Sequence, residues 1–163
     1  VRRDDLARVL ADADSPAGTW AWEALRVAAG IPRAGLDTDN RTIPHEVGWI
    51  GPAVHLSKGC YRGQETIARV QNLGRPPRRL VLLNLDGSAP GQCATGWQVM
   101  AEDRPVGVVG SVAQHFELGP IALATIKRGT PVGLDLDVRP TVAGTETSDQ
   151  AISAAQEIIV AVA

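Results

Sequence analysis

Long apolar runs are missing. No stretch of the chain approaches the ~18 apolar residues that a membrane-spanning helix needs, and no basic, apolar, small-residue succession marks its start as a signal peptide. The expectation is a cytoplasmic protein with no membrane partner. Cysteine is scarce as well: Cys60 and Cys93 stand 33 residues apart with no CxxC spacing. That pattern argues against a disulfide framework or zinc knuckle and suits a reducing compartment. His45, His55 and His115 are scattered. His45, His55 and Cys60 fall within 16 residues but lack the tight pairs of a metal-ligand set, so no metal is expected. An initiator methionine is also absent: the chain opens Val1-Arg2-Arg3, which suggests a fragment of a longer protein.

What is present suffices for folding. A chain of 163 residues buries about two-thirds of its unfolded surface. Its 44% apolar and 21% charged residues are ordinary for a globular protein and wrong for a disordered one.

Helical periodicity dominates the first half. Leu6, Val9, Leu10 and Ala13 recur at spacings of a helix face, predicting an amphipathic helix over Asp4 to Ala13, broken by Ser15-Pro16-Ala17-Gly18. A second helix is predicted from about Thr19 to Ala29, with Trp22, Leu25, Val27 and Ala29 inward, ending at Gly30-Ile31-Pro32. Residues Pro32 to Pro52 read as polar, irregular loop with room for one short strand, and Val54 to Leu56 as a short extended piece. A third helix is expected over Gly63 to Leu73, closed by Gly74 and Pro76-Pro77. Trp20, Trp22 and Trp49 are read as core residues, and Trp97 as a barrel residue.

From Arg78 the texture changes to short β-branched and alternating runs: Leu80 to Leu85, Trp97 to Met100, Val106 to Val112, Ile121 to Ile126, Val138 to Val142 and Ile158 to Val162. Turn signals such as Asp86-Gly87, Pro90-Gly91, Gly119-Pro120 and Gly129-Thr130 separate them. Six short strands predict a small antiparallel barrel or sandwich, closure removing exposed edges. The expected class is therefore α+β, with a domain boundary near Pro76-Pro77 dividing residues 1–76 from 77–163.

The chemistry concentrates in Lys58-Gly59-Cys60-Tyr61-Arg62-Gly63-Gln64-Glu65. Two glycines bracket a cysteine just before a helix. Free backbone N–H groups at a helix start, with Lys58 and Arg62 nearby, favour thiolate over thiol. Cys60 is thus a candidate reactive thiol; the alternative is a small apolar filler at a crowded turn. Glu65 equally suits the helix dipole. Residues 58–79 hold Lys58, Arg62, Arg69, Arg75, Arg78 and Arg79 against Glu65 alone, a net charge of +5 in a chain of −2, so the remainder totals −7. This asymmetry suggests an anion-binding face, or a solvated arginine-rich helix. Tyr61 is the segment's one aromatic, which leaves no stacking platform and disfavours direct nucleic acid binding. Glu23 and Arg26, three apart, suit an intrahelical pair. Glu46 in Pro44-His45-Glu46 offers a carboxylate to a ligand, or serves a turn.

In this order the segments resemble the YgfZ family of folate-binding proteins, relatives of the glycine cleavage T-protein (aminomethyltransferase). Lys58 to Glu65 looks like that family's K-G-C-[YF]-x-G-Q-E signature, supported by Leu25-Arg26 to Gly30-Ile31-Pro32, by Pro44-His45-Glu46 and by Arg78-Arg79-Leu80. The resemblance covers residues 17–163 and implies the C-terminal half of such a protein: the end of a folate-binding domain followed by a T-protein-like barrel. It further implies tetrahydrofolate or another folate as cofactor, the N-terminal half as partner, iron-sulfur client proteins including a tRNA-thiolating enzyme, and Cys60 as signature cysteine. The candidate cofactor-binding set is Lys58, Gly59, Tyr61, Arg62, Gly63, Gln64, Glu65, Arg69, Glu46 and Arg26. One departure stands at Ala28, where related sequences commonly carry a pterin-contacting glutamate; Glu46 or Glu23 would substitute. Two other functions fit the same residues: a tetrahydrofolate-dependent one-carbon transferase, whose catalytic aspartate belongs to the other half, and an RNA-contacting module using Arg62 to Arg79.

Overall fold

The computed structural model describes residues 2–89, 92–141 and 151–160. Its elements run α1 (Leu6–Ala11, after a 3-10 turn Arg3–Asp5), α2 (Thr19–Ala28), a 3-10 turn Pro44–Val47 and α3 (Gln64–Leu73). Six strands follow: β1 (Arg78–Leu85), β2 (Gln98–Ala101), β3 (Arg104–His115), β4 (Gly119–Lys127), β5 (Leu136–Arg139) and β6 (Ile152–Ile158). They close into an antiparallel barrel in the order β1-β4-β3-β2-β5-β6. The fold is α+β, as its sequence texture predicts.

The barrel explains why β1 reads as a continuous apolar run. Val81, Leu83 and Leu85 point inward among Val99, Ile126 and Val138. Leu80 and Leu82 point outward and pack with Ile121 and Leu123 against Val27 of α2 and Val47 of the 3-10 turn. A strand covered on both faces loses its alternation. Small residues Ala122 and Ala124 fill the interior beside these larger side chains. Trp97 packs against the same interior, as a barrel residue.

Several local expectations are corrected. The first helix is shorter than Asp4 to Ala13, and none of its residues is buried. In α2, Ala24 and Val27 face the barrel, whereas Trp22 and Leu25 are 65% and 54% exposed, Trp20 is 91% exposed and Ala29 is exposed too. The helix is apolar on both sides, so periodicity could not tell which side meets the core. The last strand precedes its predicted position: β6 ends at Ile158, where the prediction began. The stretch Ala151 to Ile158 carries enough small residues to hide its alternation. β5 ends at Arg139, and Val142, with which its predicted run closed, lies outside the described residues, as do Pro90-Gly91 and 161–163. Gly119-Pro120 opens β4, the turn itself being Phe116 to Leu118.

Candidate functional site

The segment Lys58 to Glu65 lies on the surface ahead of α3. Gly63 adopts φ 82°, a left-handed conformation that a side chain disfavours, and this turn redirects the chain into the helix. Gln64 N–H donates to Tyr61 O at 3.2 Å, and Ile67 N–H to Gly63 O at 3.2 Å, closing the first turn. Cys60 is exposed. Lys58 Nζ sits 4.8 Å from the centre of the Tyr61 ring, within cation–π range, and Tyr61 is half-buried. Lys58, Arg62 and Arg69 are exposed and form no ion pair among the described residues. Cys60, Lys58, Arg62, Glu65 and Arg69 are thus all exposed along this segment and the helix it opens, with Gln64 half-buried.

The helix behind this segment is lightly anchored. Ile67 is its buried residue, and His45 Nε2 meets Gln71 Oε1 at 3.0 Å. Gly74 closes it with a left-handed cap, its N–H donating to Val70 O at 2.8 Å.

Two members of the candidate set are held elsewhere. Arg26 is buried and donates to Glu23 Oε2 at 2.7 Å, to Ile31 O at 2.6 Å, to Ser111 Oγ at 2.7 Å and to Asp37 Oδ2 at 3.3 Å. The Arg26 hydrogen bond holds the Glu23 carboxyl below its usual range. Glu46 is fully buried: its two oxygens accept from Arg78 Nε at 3.0 Å and Nη2 at 2.8 Å, and Oε2 caps Ile43 N–H at 3.2 Å. Arg78 also grips Asp39, at 2.8 and 3.1 Å. That contact drives Asp39 well below the carboxylate range, and Asp39 and Glu46 together raise Arg78.

These pairings shrink the basic face read from the sequence. Arg78 is neutralised by two carboxylates, and Arg79 turns into the barrel end, where burial lowers its pKa and its Nη2 donates to Thr130 O at 2.8 Å and Gln156 Oε1 at 2.9 Å. Lys58, Arg62, Arg69 and Arg75 remain as exposed cations. Local spacing gave no sign of these clamps, because their partners lie 32 to 39 residues away for Arg78 and 51 to 77 for Arg79.

Two of the grooves among the described residues lie on the body. One, of about 410 Å³, lies between residues 36–42 and the outer barrel wall and is edged by Asp39, Arg78 and Lys127. The other, of about 700 Å³, is lined by Trp20, Glu23, Cys93 and Pro120 among others. Neither includes a residue of Lys58 to Glu65. No helix among the described residues is long and apolar enough to cross a membrane.

No family-level sequence profile matches the chain. Over 136 residues, 80% of its length, it is 33% identical to a putative chloroplastic transferase of Arabidopsis thaliana, of which it covers 30%. Over 138 residues, 82% of its length, it is 35% identical to an aminomethyltransferase of a Nostoc species, of which it covers 36%. A shorter match, 35% over 72 residues, joins 44% of the chain to 22% of the tRNA-modifying protein YgfZ of Colwellia psychrerythraea. The chain thus spans about a third or less of the length of these curated relatives. Among solved structures, the glycine cleavage system aminomethyltransferase T of Bartonella henselae shares its fold, with a TM-score of 0.70 and 21% identity over 94% of this chain and 43% of that one. Over four-fifths of its length the chain is thus similar to part of a putative transferase and of an aminomethyltransferase, and it shares the fold of a solved T-protein of the glycine cleavage system.

Proposed function

We propose that the chain is the barrel-bearing, C-terminal part of a folate-binding accessory protein that supports iron-sulfur enzymes, among them one that modifies tRNA, with Cys60 as its reactive group. The observation that carries this reading is the exposed Cys60 thiol on a glycine-flanked turn, beside cations that no carboxylate of the described residues neutralises. The similarity to YgfZ adds support.

The residues present fit one end of a folate. Lys58, Arg62 and Arg69 suit the carboxylates of its glutamate tail, through charge-assisted hydrogen bonds, with Tyr61, Gln64 and Glu65 as neighbouring polar contacts and Gly59 and Gly63 allowing close backbone approach. Bound tetrahydrofolate supplies nitrogen atoms that carry one-carbon units. Arg26 and Glu46 act in this reading as the frame that fixes α2 and the 3-10 turn, since their polar atoms are taken up within the protein. A pterin ring needs an enclosing wall that Lys58 to Glu65 does not form with either groove. The N-terminal half of the protein is the proposed source of that wall.

The deciding experiment pairs calorimetric titration of tetrahydrofolate with a Cys60→Ser variant in cells that lack the gene. Folate affinity and folding are expected to survive the substitution while iron-sulfur enzyme activity is lost. A serine variant that sustains those enzymes refutes the thiol role. A second reading, folate-dependent aminomethyl transfer, is favoured by the longer sequence matches to aminomethyltransferases; there Cys60→Ser leaves transfer activity unchanged.

A further inference from the structure

We infer that the outer side of α2 and the apolar stripe of α1 are docking surfaces for the part of a T-protein-like fold that this chain does not span. The inference rests on the reading of the chain as one part of such a fold, and adds which surfaces receive the other.

Three observations carry it. First, α2 is apolar on the side away from the barrel. Ala24 and Val27 face inward and are buried, while Ala21, Trp22, Leu25 and Ala29 are exposed on the opposite side. A helix with apolar positions on two opposite sides belongs between two layers, and here one layer, the barrel, is present. Second, α1 presents Leu6, Val9 and Leu10 at 48%, 40% and 47% exposure, and no residue of it is buried. Six α-helical residues with a preceding 3-10 turn fall short of the ~12–15 that even a good isolated helix needs in water. A helix this short with an apolar stripe requires a surface to lie on. Third, the matched T-protein is the longer chain, and 43% of it is covered, so more than half of that fold is available as the second layer.

The chemistry of these surfaces selects an apolar protein partner. The charged edge of α2 is satisfied internally, Glu23 holding Arg26 at 2.7 Å and Arg33 at 2.7 Å. Residues 2–14 carry Arg2, Arg3 and Arg8 against Asp4, Asp5, Asp12 and Asp14, a balance unsuited to a phosphate backbone or an anionic membrane.

The test compares the 163-residue chain with a chimera in which it replaces the matching segment of the Nostoc aminomethyltransferase, both read by hydrogen exchange and analytical ultracentrifugation. In the monomeric chain, amides of Leu6–Ala11 should exchange nearly freely. In the chimera they should slow by about 100-fold or more, and Trp22→Asp with Leu25→Asp should remove that protection while β1 and β4 stay protected. If the chimera does not fold, the two segments are co-expressed as separate chains and the same amides are read in the co-purified complex. Protection of α1 in the isolated monomer, protection that depends on self-association, or failure of the separate segments to co-purify each overturns the proposal. None of these readouts involves folate. A docked chimera without folate affinity sinks the functional reading and leaves the docking surfaces standing.

Discussion

Asp37 and Ser111, 74 residues apart in sequence, are joined by two hydrogen bonds: Ser111 N–H donates to Asp37 Oδ1 at 2.6 Å, and Ser111 Oγ–H to Oδ2 at 2.7 Å. The contact exists because β3 bulges. Val109 faces Ala124 and Val112 faces Ala122, so three steps on β3 oppose two on β4. The bulge frees the Ser111 amide from the ladder and turns it outward. Gly110 completes the fit, since a Cβ there would collide with the Asp37 carboxylate. Arg33 N–H and Arg26 Nη1 donate to the same carboxylate, at 2.8 and 3.3 Å. Through one buried aspartate, the loop after α2 is fastened to the barrel.

Asp37→Ala should therefore cost about 3–5 kcal/mol, the range for removing one partner of a buried charged pair. It leaves the Ser111 and Arg33 amides without their acceptor and Arg26 with Glu23 as its remaining carboxylate. Urea denaturation monitored by far-UV dichroism measures it, and Gly110→Ala should destabilise the chain through the same contact. A loss of no more than about 0.5 kcal/mol for Asp37→Ala, the usual range for surface sites, would show that the network does not fasten the loop.

The Arg78 clamp offers a coupled test. Arg78→Met leaves the buried Glu46 carboxylate without its ionic partner and with the Ile43 amide as its remaining donor, again at about 3–5 kcal/mol. Adding Glu46→Gln should recover part of that loss, because the amide removes the stranded charge. Strict additivity in the double-mutant cycle would contradict a direct Arg78–Glu46 contact.

Acid should loosen this region through Asp39. Its carboxyl is held below the ordinary aspartate value of about 3.9 by Arg78, so in acid the unfolded chain binds the proton first. The stabilisation is complete above that value and is lost as pH falls from it toward the depressed folded pKa. Asp39 is half-exposed, so the slope is shallow. Thermal melts between pH 6 and 2 should show it, and in Arg78→Met it should flatten.

The two thiols should behave oppositely. Cys60 is exposed, whereas burial pushes Cys93 up to about 11. In the native chain at neutral pH a maleimide should label Cys60 alone, and Cys93 should react only after unfolding. A raised folded pKa favours the native state at neutral pH and costs it stability as pH climbs from about 8.5 through 11. Cys93→Ala should remove that alkaline loss of stability. Native labelling of both thiols would refute the assignment.

Much of the architecture was legible in local patterns. Helices end where Gly30 and Gly74 stand, and five of the six predicted runs overlap β1 to β5, because turn residues and β-branched runs act over a few positions. The Lys58 to Glu65 segment stood out for the same reason: two glycines, a thiol and a helix start are all neighbours in sequence. The inward side of α2 was illegible, since Trp22 and Leu25 are as apolar as Val27 and only the barrel decides which side it covers. The position of β6 was likewise hidden in an alanine-rich stretch.

The sequence by itself determined a helical first half, a six-stranded second half and a glycine-flanked cysteine just ahead of α3, since each follows from residues close together along the chain; that the cysteine is exposed came from the fold. Only the tertiary structure decided the fate of the charges. In a linear reading Arg26 and Glu46 belong to a candidate ligand set and Arg78 to a basic face; in the fold Arg26 meets Glu23 and Asp37, and Glu46 and Asp39 meet Arg78. The physical reason is desolvation: a charge carried into the interior must meet an opposite charge there, and that partner is chosen by the path of the chain through space.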